Sequence, residues 1–520
     1  MSIAVTPNLT DISLCDVLGL WTGSSIAIDG TLMVQGAGCC SIQVKATTSA
    51  TQLWTYTEAN GIDMTGKHIY IWMMVTGVVD TKANGGYRIY VEDKDGNNSL
   101  FYVGGKDTHP GGWGCFVVNP ASTVRTSGTG TVNPLYIKKV GVAFKTLSTA
   151  LGSVKNCFWD ACRYGTGLTI TSGATDAINF EAIYNADMDA ALTYRWGVVT
   201  KGSGGIYLIQ GLLTFGGTGA ENIDFVDKGQ IIVFPDNSFV SDTFYGIQVL
   251  AGSGVINFIL GEKSGTAGIK GCLLKAPGIK TFSLNVSDSD IDKMQLYGCN
   301  FNNAGIITLL PNAANREVLN CSFEGCSGLV INTCVVLNCN FISSDAEAIL
   351  MSSISHNITY CNFIACPVGV KIDTYNASAY PFNSLIFTNC TKHVNNTSGQ
   401  TLIVGNANGS NASTYVGTLV NFVGSVVLTM IVKDEAGNGI NNAWAYIDDS
   451  LDEPPFIMNK LTALVNEVNG VATETYTGAP INATRWRVRK YGYKNFKQLI
   501  DIGSLNISLP VTLVLDSQQS

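Results

Sequence analysis

Three kinds of residue in this 520-residue chain could do chemistry: cysteines in spaced pairs, carboxylates scattered through the middle, and alternating arginines near the end. The pairs Cys157/Cys162, Cys321/Cys326 and Cys361/Cys366 share the pattern Cys-x-aromatic-x-x-Cys. Four intervening residues suit structural zinc, and two such thiols could also bridge across a bend. The aromatic inside each pair, and the lack of a neighbouring histidine, favour core packing instead. The four histidines, His68, His109, His356 and His393, are dispersed and form no His-x-x-x-His pair. No serine motif accompanies them, so a nucleophilic triad has no support. Gly202-Ser203-Gly204-Gly205 lacks the Lys-Ser/Thr of a phosphate loop and reads as a turn.

Glycoside hydrolysis needs two carboxyls about 5–9.5 Å apart. The middle of the chain offers Glu324, Asp345, Glu347 and Asp373, and before them Asp224, Asp227, Asp236 and Asp242. None sits in the Asn-Thr-Asp, Asp-Asp, His-Gly or Arg-Ile-Lys motifs of polygalacturonases, so they are read as scattered outward-facing acids. Arg485, Arg487 and Arg489 alternate with Trp486 and Val488, and Lys490 follows. On a strand the arginines line one face and the apolar residues the other. This is either a solvated, charge-protected face or a docking patch for an acidic neighbour or an anionic glycan. Arg485, Arg487, Arg489 and Lys490 are the candidate docking residues. No catalytic, cofactor-binding or metal-ligating set is assigned, and no cofactor is expected.

The elements that would carry these residues are announced by a repeat. Cys and Phe return together at Cys299/Phe301, Cys321/Phe323, Cys339/Phe341 and Cys361/Phe363, with an echo at Phe387 and Cys390. The cysteines are spaced by 22, 18, 22 and 29 residues. A period near 20 marks stacked supersecondary units. Residues two apart share one face of a strand, so stacking piles Cys on Cys and Phe on Phe. These eight residues are the expected core ladder of a parallel β-helix. The asparagines beside them (Asn300, Asn320, Asn338, Asn340, Asn362, Asn389) suit left-handed corners or amide ladders.

Composition agrees. Only 13% of residues are charged, 46% are hydrophobic and 56 are glycine, as in a turn-rich all-β protein. The net charge of −8 argues against general nucleic-acid binding. No apolar stretch approaches the roughly 20 residues of a membrane helix, so no membrane insertion is expected. The start, Met1-Ser2-Ile3-Ala4-Val5-Thr6-Pro7, has no basic segment before an apolar core, and no export signal is expected. Fifteen cysteines are therefore expected as reduced, buried thiols, which behave as small hydrophobes.

Three parts follow. Residues 1–150 read as a jelly-roll-like β-sandwich, with aromatic and β-branched runs between Gly/Asn/Pro turns. Trp21, Trp54, Trp72 and Trp113 lie there, and any glycan contact in that part is expected as binding without cleavage. Residues 151–425 read as a right-handed parallel β-helix with one capping helix through Phe180, Ile183, Tyr184, Met188, Ala191 and Leu192, its N-cap at Thr175 or Asp176. Residues 426–520 carry Val-x-Asp-x-x-Gly-x-x-Ile-x-x-Ala at Val432 to Ala443, Gly470-Val471, and Arg-x-x-Gly-Tyr at Arg489 to Tyr493. This segment resembles the carboxypeptidase-regulatory, Ig-like and transthyretin-like β-sandwich modules. The whole layout resembles multi-domain bacteriophage virion structural proteins. The resemblance implies a tail-associated, fibre or capsid-decorating component, homotrimeric, assembled in the host cytoplasm and released by lysis. It implies other virion proteins and a host surface glycan as partners, and no enzymatic activity. A polysaccharide depolymerase on the same scaffold and a bacterial surface adhesin are the alternatives.

Overall fold

The computed structural model describes residues 3–45, 51–76, 86–104, 112–122, 126–145, 154–171, 178–187, 195–216, 221–225, 230–234, 245–250, 253–264, 268–277, 282–288, 291–310, 315–352, 357–373, 385–399, 402–404, 407–408, 415–417, 420–422, 426–448, 457–465, 468–476, 481–502 and 507–516. The protein is all-β apart from a single short α-helix and two 3-10 turns among these residues. Two compact units divide it: Met1–Thr333 with Ile342–Asp345, and Cys334–Phe341 with Ala346–Ser520.

The first unit begins with two antiparallel sheets. One is built on the long strand Val154–Thr171, which pairs with Ala4–Ser13, Cys39–Lys45 and His68–Val75. The other runs through Ser127–Thr129, Asn98–Gly104, Gly86–Asp93, Ile137–Lys145, Thr51–Ile62 and Trp21–Thr22. Their apolar residues share one core, which includes Ile71, Met73, Ile89, Val142 and Phe144. Two of the tryptophans expected to meet a glycan are spent here, Trp21 and Trp54, at 5% and 1% exposed, and Trp72 is buried outside this core at 6%. Trp21 and Trp54 pack on Trp159 at 5.4 and 5.9 Å between ring centroids. Trp113 is half-buried against Phe158. An indole that fills a core has no face left for a sugar.

Apart from two short antiparallel pairs, Val199–Lys201 with Ile206–Ile209 and Glu262–Ser264 with Gly268–Lys270, the rest of this unit is laid out in parallel ladders. The end of Val154–Thr171 pairs in parallel with Leu212–Phe215, and the series continues through Gly246–Val249, Phe282–Val286, Ala304–Leu309 and Gly328–Ile331. A second series places Tyr207, Ile232, Leu274, Phe301 and Phe323 in successive register. A third joins Glu221–Phe225, Val255–Leu260, Lys293–Tyr297 and Asn315–Leu319. In-register pairing stacks like on like: the Phe301 and Phe323 rings lie 5.2 Å apart and 3° from parallel.

The helix is Phe180–Ala186, capped by Asn179, whose side chain accepts from the Ala182 N–H at 2.7 Å. The cap is thus neither Thr175 nor Asp176. A capping oxygen must sit one residue before the first helical residue to reach the orphan donors, and Asn179 holds that place. Phe180 and Ile183 are buried as expected, while Tyr184 is half-buried. Met188, Ala191 and Leu192 lie outside the described residues. Asp187, which follows the helix, is fully buried and accepts from the Val199 N–H at 2.9 Å. Burial pushes its carboxyl up to about 8, against the pull of that backbone donor and of Arg195. Asp160 is also buried and accepts from the N–H groups of Val34, Gln35 and Ala161. Burial raises it to about 6 despite those three donors.

The second unit repeats the ladder logic. Glu347–Met351, Val368–Ile372, Lys392–Asn396 and Tyr415–Gly417 pair in parallel. Phe341, Phe363 and Phe387 form a ring stack, with centroid spacings of 5.1 and 4.9 Å. Two four-stranded sheets follow, one of Ala463–Val465, Val468–Tyr476, Val426–Lys433 and Ile507–Thr512, the other of Met458–Leu461, Trp444–Asp448, Ile481–Arg489 and Phe496–Ile502. Leu428, Met430, Ala445, Ile447, Trp486 and Val488 share their core.

The corners explain the asparagines. The residue before each repeat cysteine is left-handed: Gly298, Asn320, Asn338, Tyr360 and Asn389 have φ between 54° and 59°. A second left-handed position recurs two residues after the phenylalanine, at Asn303, Gly325, Ser343 and Ala365, with φ of 59°, 63°, 53° and 53°. Asn and Gly adopt this geometry at little cost, other residues at about 1–2 kcal/mol. Asn340 and Asn362 instead form an amide rung, Nδ2 of Asn362 donating to Oδ1 of Asn340 at 2.8 Å.

Candidate functional site

All fifteen cysteines are free thiols, and all but Cys390 are buried. The eight residues of the expected core ladder, Cys299, Phe301, Cys321, Phe323, Cys339, Phe341, Cys361 and Phe363, are each 1% exposed or less. Four of the cysteines tie one rung to the rung before it. Cys321 donates to the Leu296 carbonyl, Cys326 to Phe301, Cys361 to Val336 and Cys366 to Phe341, at 3.3 to 3.7 Å, each across 25 residues of chain. Burial, and then the neighbouring Cys339, push the Cys361 thiol well up. Such a thiol is a poor nucleophile. Among the described residues no group of three His, Cys, Asp or Glu is placed to hold a metal.

The scattered acids separate. Glu347 and Asp373 share one ammonium, with Lys371 Nζ 3.4 and 3.5 Å from their oxygens. Burial works against the Lys371 charge, but Asp373 and Glu347 outweigh it and raise its pKa. Glu324 and Asp345 are exposed, the side chain of Asp224 is not described, and Asp227, Asp236 and Asp242 lie outside the described residues. His68 is buried and stacked on Tyr245 at 4.5 Å, and burial drives its pKa to about 3. His393 is stacked on Phe387 at 4.5 Å. His109 and His356 lie outside the described residues.

The arginine run is where the chemistry gathers. In Ile481–Arg489 the alternation is as the spacing predicts: Trp486 and Val488 are fully buried, and Arg485, Arg487 and Arg489 take the other face. Their cross-strand partners in Trp444–Asp448 are Asp448, Tyr446 and Trp444. The four candidate docking residues therefore split. Asp448 is fully buried and binds both Arg485, at 3.1 Å, and Arg487. One carboxylate engages those two guanidiniums, so neither is a simple surface cation. Arg489 is exposed and has no carboxylate partner among the described residues. Its guanidinium lies 6.0 Å from the Tyr446 ring centre, and that of Arg487 lies 5.7 Å from it. Lys490 Nζ is held by the carbonyls of Asn441 and Asn442, each at 3.2 Å.

Arg489 and Lys490 line a cavity of about 500 Å³ with Asn442, Trp444, Tyr491, Tyr493, Lys494, Asn495 and Asp516. Trp444 is 43% exposed and stacks on Tyr446 at 5.8 Å, while Tyr491 is 85% exposed. The loop over the cavity is pinned by backbone bonds from Tyr493 to Lys490, Lys494 to Val514 and Asp516 to Gly492, at 2.9 to 3.1 Å. Sequence reading found the cations. It missed Trp444 and Asp448, which lie about 40 residues away in sequence and are joined to the arginines only by strand pairing. The Trp-Ala-Tyr-Ile-Asp alternation at Trp444 to Asp448 was the one available signal.

No family model and no curated protein matches this chain. Among solved structures, an exo-β-agarase is 10% identical, covering 31% of this chain and 24% of that one, with a TM-score of 0.23. The chain spans about a quarter of the length of the agarases it matches. A family 11 carbohydrate-binding module of a Clostridium thermocellum cellulase is 10% identical, covering 30% of this chain and 95% of that one, with a TM-score of 0.22. The cellulose induced protein Cip1 is 12% identical, covering 31% and 90%, with a TM-score of 0.17.

Proposed function

We infer that this chain is a structural protein of a tailed-phage virion, displayed on the particle surface for assembly and host adhesion. In this reading the parallel ladders are faces of a right-handed parallel β-helix. The sheets before them are a jelly-roll-like sandwich over 1–150, to which the strand Val154–Thr171 also contributes, and the two last sheets, one of them mixed, are a transthyretin-like sandwich over 426–520. The observation that carries the reading is the in-register stacking of the Cys-x-Phe unit. Each rung buries its apolar face only against its neighbours, so the residues that repeat most regularly are spent on rigidity, not on a reaction. Three copies per assembly and a virion location belong to the same proposal. Peptide mass spectrometry of purified particles tests it. The chain is expected there, in a copy number divisible by three, and its absence from particles refutes the reading.

The runner-up is a polysaccharide depolymerase, for which Glu347 and Asp373, of the candidate acids, share a lysine. The Lys371 ammonium lies within reach of both. An ammonium shared by both carboxylates neutralises the pair, which favours a scaffold. Release of oligosaccharides from host capsule or cell wall, lost in Glu347→Gln or Asp373→Asn, would establish the depolymerase instead.

A further inference from the structure

We propose that the cationic and aromatic face of the C-terminal sheet binds an acidic polysaccharide, one ring seated on Trp444 and the sugar carboxylates on Arg489, Lys490 and Lys494. This rests on the adhesive role inferred above and names its ligand class. Four observations converge. Trp444 and Tyr491 expose large rings at a cavity of about 500 Å³, room for one to two sugar residues. A flat indole that is 43% exposed suits the C–H face of a pyranose, and its stacking on Tyr446 helps to fix it.

The charge is the second observation. In a chain of net charge −8, three cations converge on this cavity. The acid nearest them on the sheet, Asp448, is buried and committed to Arg485 and Arg487. Asp516 is the one carboxylate of the lining. The remaining positive field selects an anion, and a guanidinium pairs a carboxylate through two parallel N–H donors. Third, Asn442 and Asn495 bring amide groups to the same wall, each able to donate to and accept from hydroxyls. Fourth, the site is fixed before binding: Arg489 is held over Tyr446, Lys490 by two carbonyls, and the loop by three backbone bonds. This lowers the ordering entropy that opposes a weakly binding sugar. An acidic peptide would satisfy the cations but makes no use of open ring faces flanked by amides.

The test uses the full chain and calorimetric titration with oligosaccharides of polygalacturonate, alginate and hyaluronate, alongside methyl-esterified polygalacturonate, a neutral cello-oligosaccharide and single-stranded DNA. At least one acidic sugar is expected to bind, more weakly as salt is raised. Trp444→Ala should weaken it about tenfold, and Arg489→Gln, the loss of an exposed cation, about threefold to fivefold. Near-ultraviolet circular dichroism confirms folding, and Arg489→Gln stands as an independent variant should Trp444→Ala perturb the sheet. The proposal is overturned if no acidic sugar binds, if both folded variants keep full affinity, if the neutral sugar binds equally, or if DNA binds as tightly with the same residue dependence. None of these outcomes alters whether the chain is found in particles, so the two readings fail separately.

Discussion

Phe363 sits in the middle of a ring stack, and truncating it tests the ladder directly. Its side chain is fully buried, 5.1 Å from Phe341 on one side and 4.9 Å from Phe387 on the other. Phe363→Ala removes the transfer energy of a buried ring and leaves a cavity between two rungs that strand pairing holds apart. Such changes cost about 3–5 kcal/mol, and each lost ring contact accounts for about 0.5–1.5 kcal/mol of it. Global unfolding is a poor reporter in a chain with several cores. Native-state hydrogen exchange reads the site itself. The amides to follow are Asn362, bonded to the Cys339 carbonyl at 2.9 Å, and Ile386, bonded to Cys361 at 3.0 Å. A loss of about 3 kcal/mol speeds their exchange about a hundredfold. The amide of Ile440, bonded to Val432 in the C-terminal sheets, should keep its wild-type rate. Phe387→Ala, at 7% exposure, should have the smaller effect. If the Asn362 and Ile386 amides exchange within about threefold of wild type in Phe363→Ala, Phe363 is not a buried, stacked rung and the ladder argument fails.

Cys361→Ala should cost only about 1 kcal/mol, because one small atom and a weak S–H donor are lost, and the same exchange experiment checks it. Ala365→Gly should stabilise the protein by up to about 1 kcal/mol in urea denaturation, the reverse of the usual Gly penalty, because Ala365 sits at φ 53°. Asp448→Ala leaves Arg485 and Arg487 half-buried beside a missing carboxylate and should cost about 3–5 kcal/mol, read as a lowered midpoint for the C-terminal sheets. Burial holds the folded pKa of Asp187 near 8 and that of Asp160 near 6, both above the ordinary value of 3.8. Between those values the folded state keeps protons that the unfolded chain has released, so stability is greatest below about pH 4 for these groups and falls as pH rises to about 8. Asp187→Asn should flatten the upper part of that slope in thermal melts, and an unchanged slope would show that Asp187 is ionised in the fold.

How much was legible in the sequence follows from the range of the interactions. Local rules were readable. Cys and Phe two apart must share a strand face, and a period near 20 must bring like residues into register, so the buried rungs could be named one by one. Asn before a repeat cysteine announces a left-handed corner, and Arg-Trp-Arg-Val-Arg announces one polar and one apolar face. Each depends on backbone geometry within a few residues.

Tertiary structure decided whatever depends on a partner far along the chain. Trp21, Trp54 and Trp72 look like sugar platforms in sequence but are buried, the first two in one core, because only the pairing of strands decides which side of a sheet is covered. Arg485 and Arg487 look equivalent to Arg489, yet strand register sets Asp448 beside the first two and Trp444 beside the third. A shift of that register by one residue would turn every side chain of the pair to the opposite face. Periodicity therefore determined which residues are buried in the ladders, and long-range pairing determined which charges remain available at the surface.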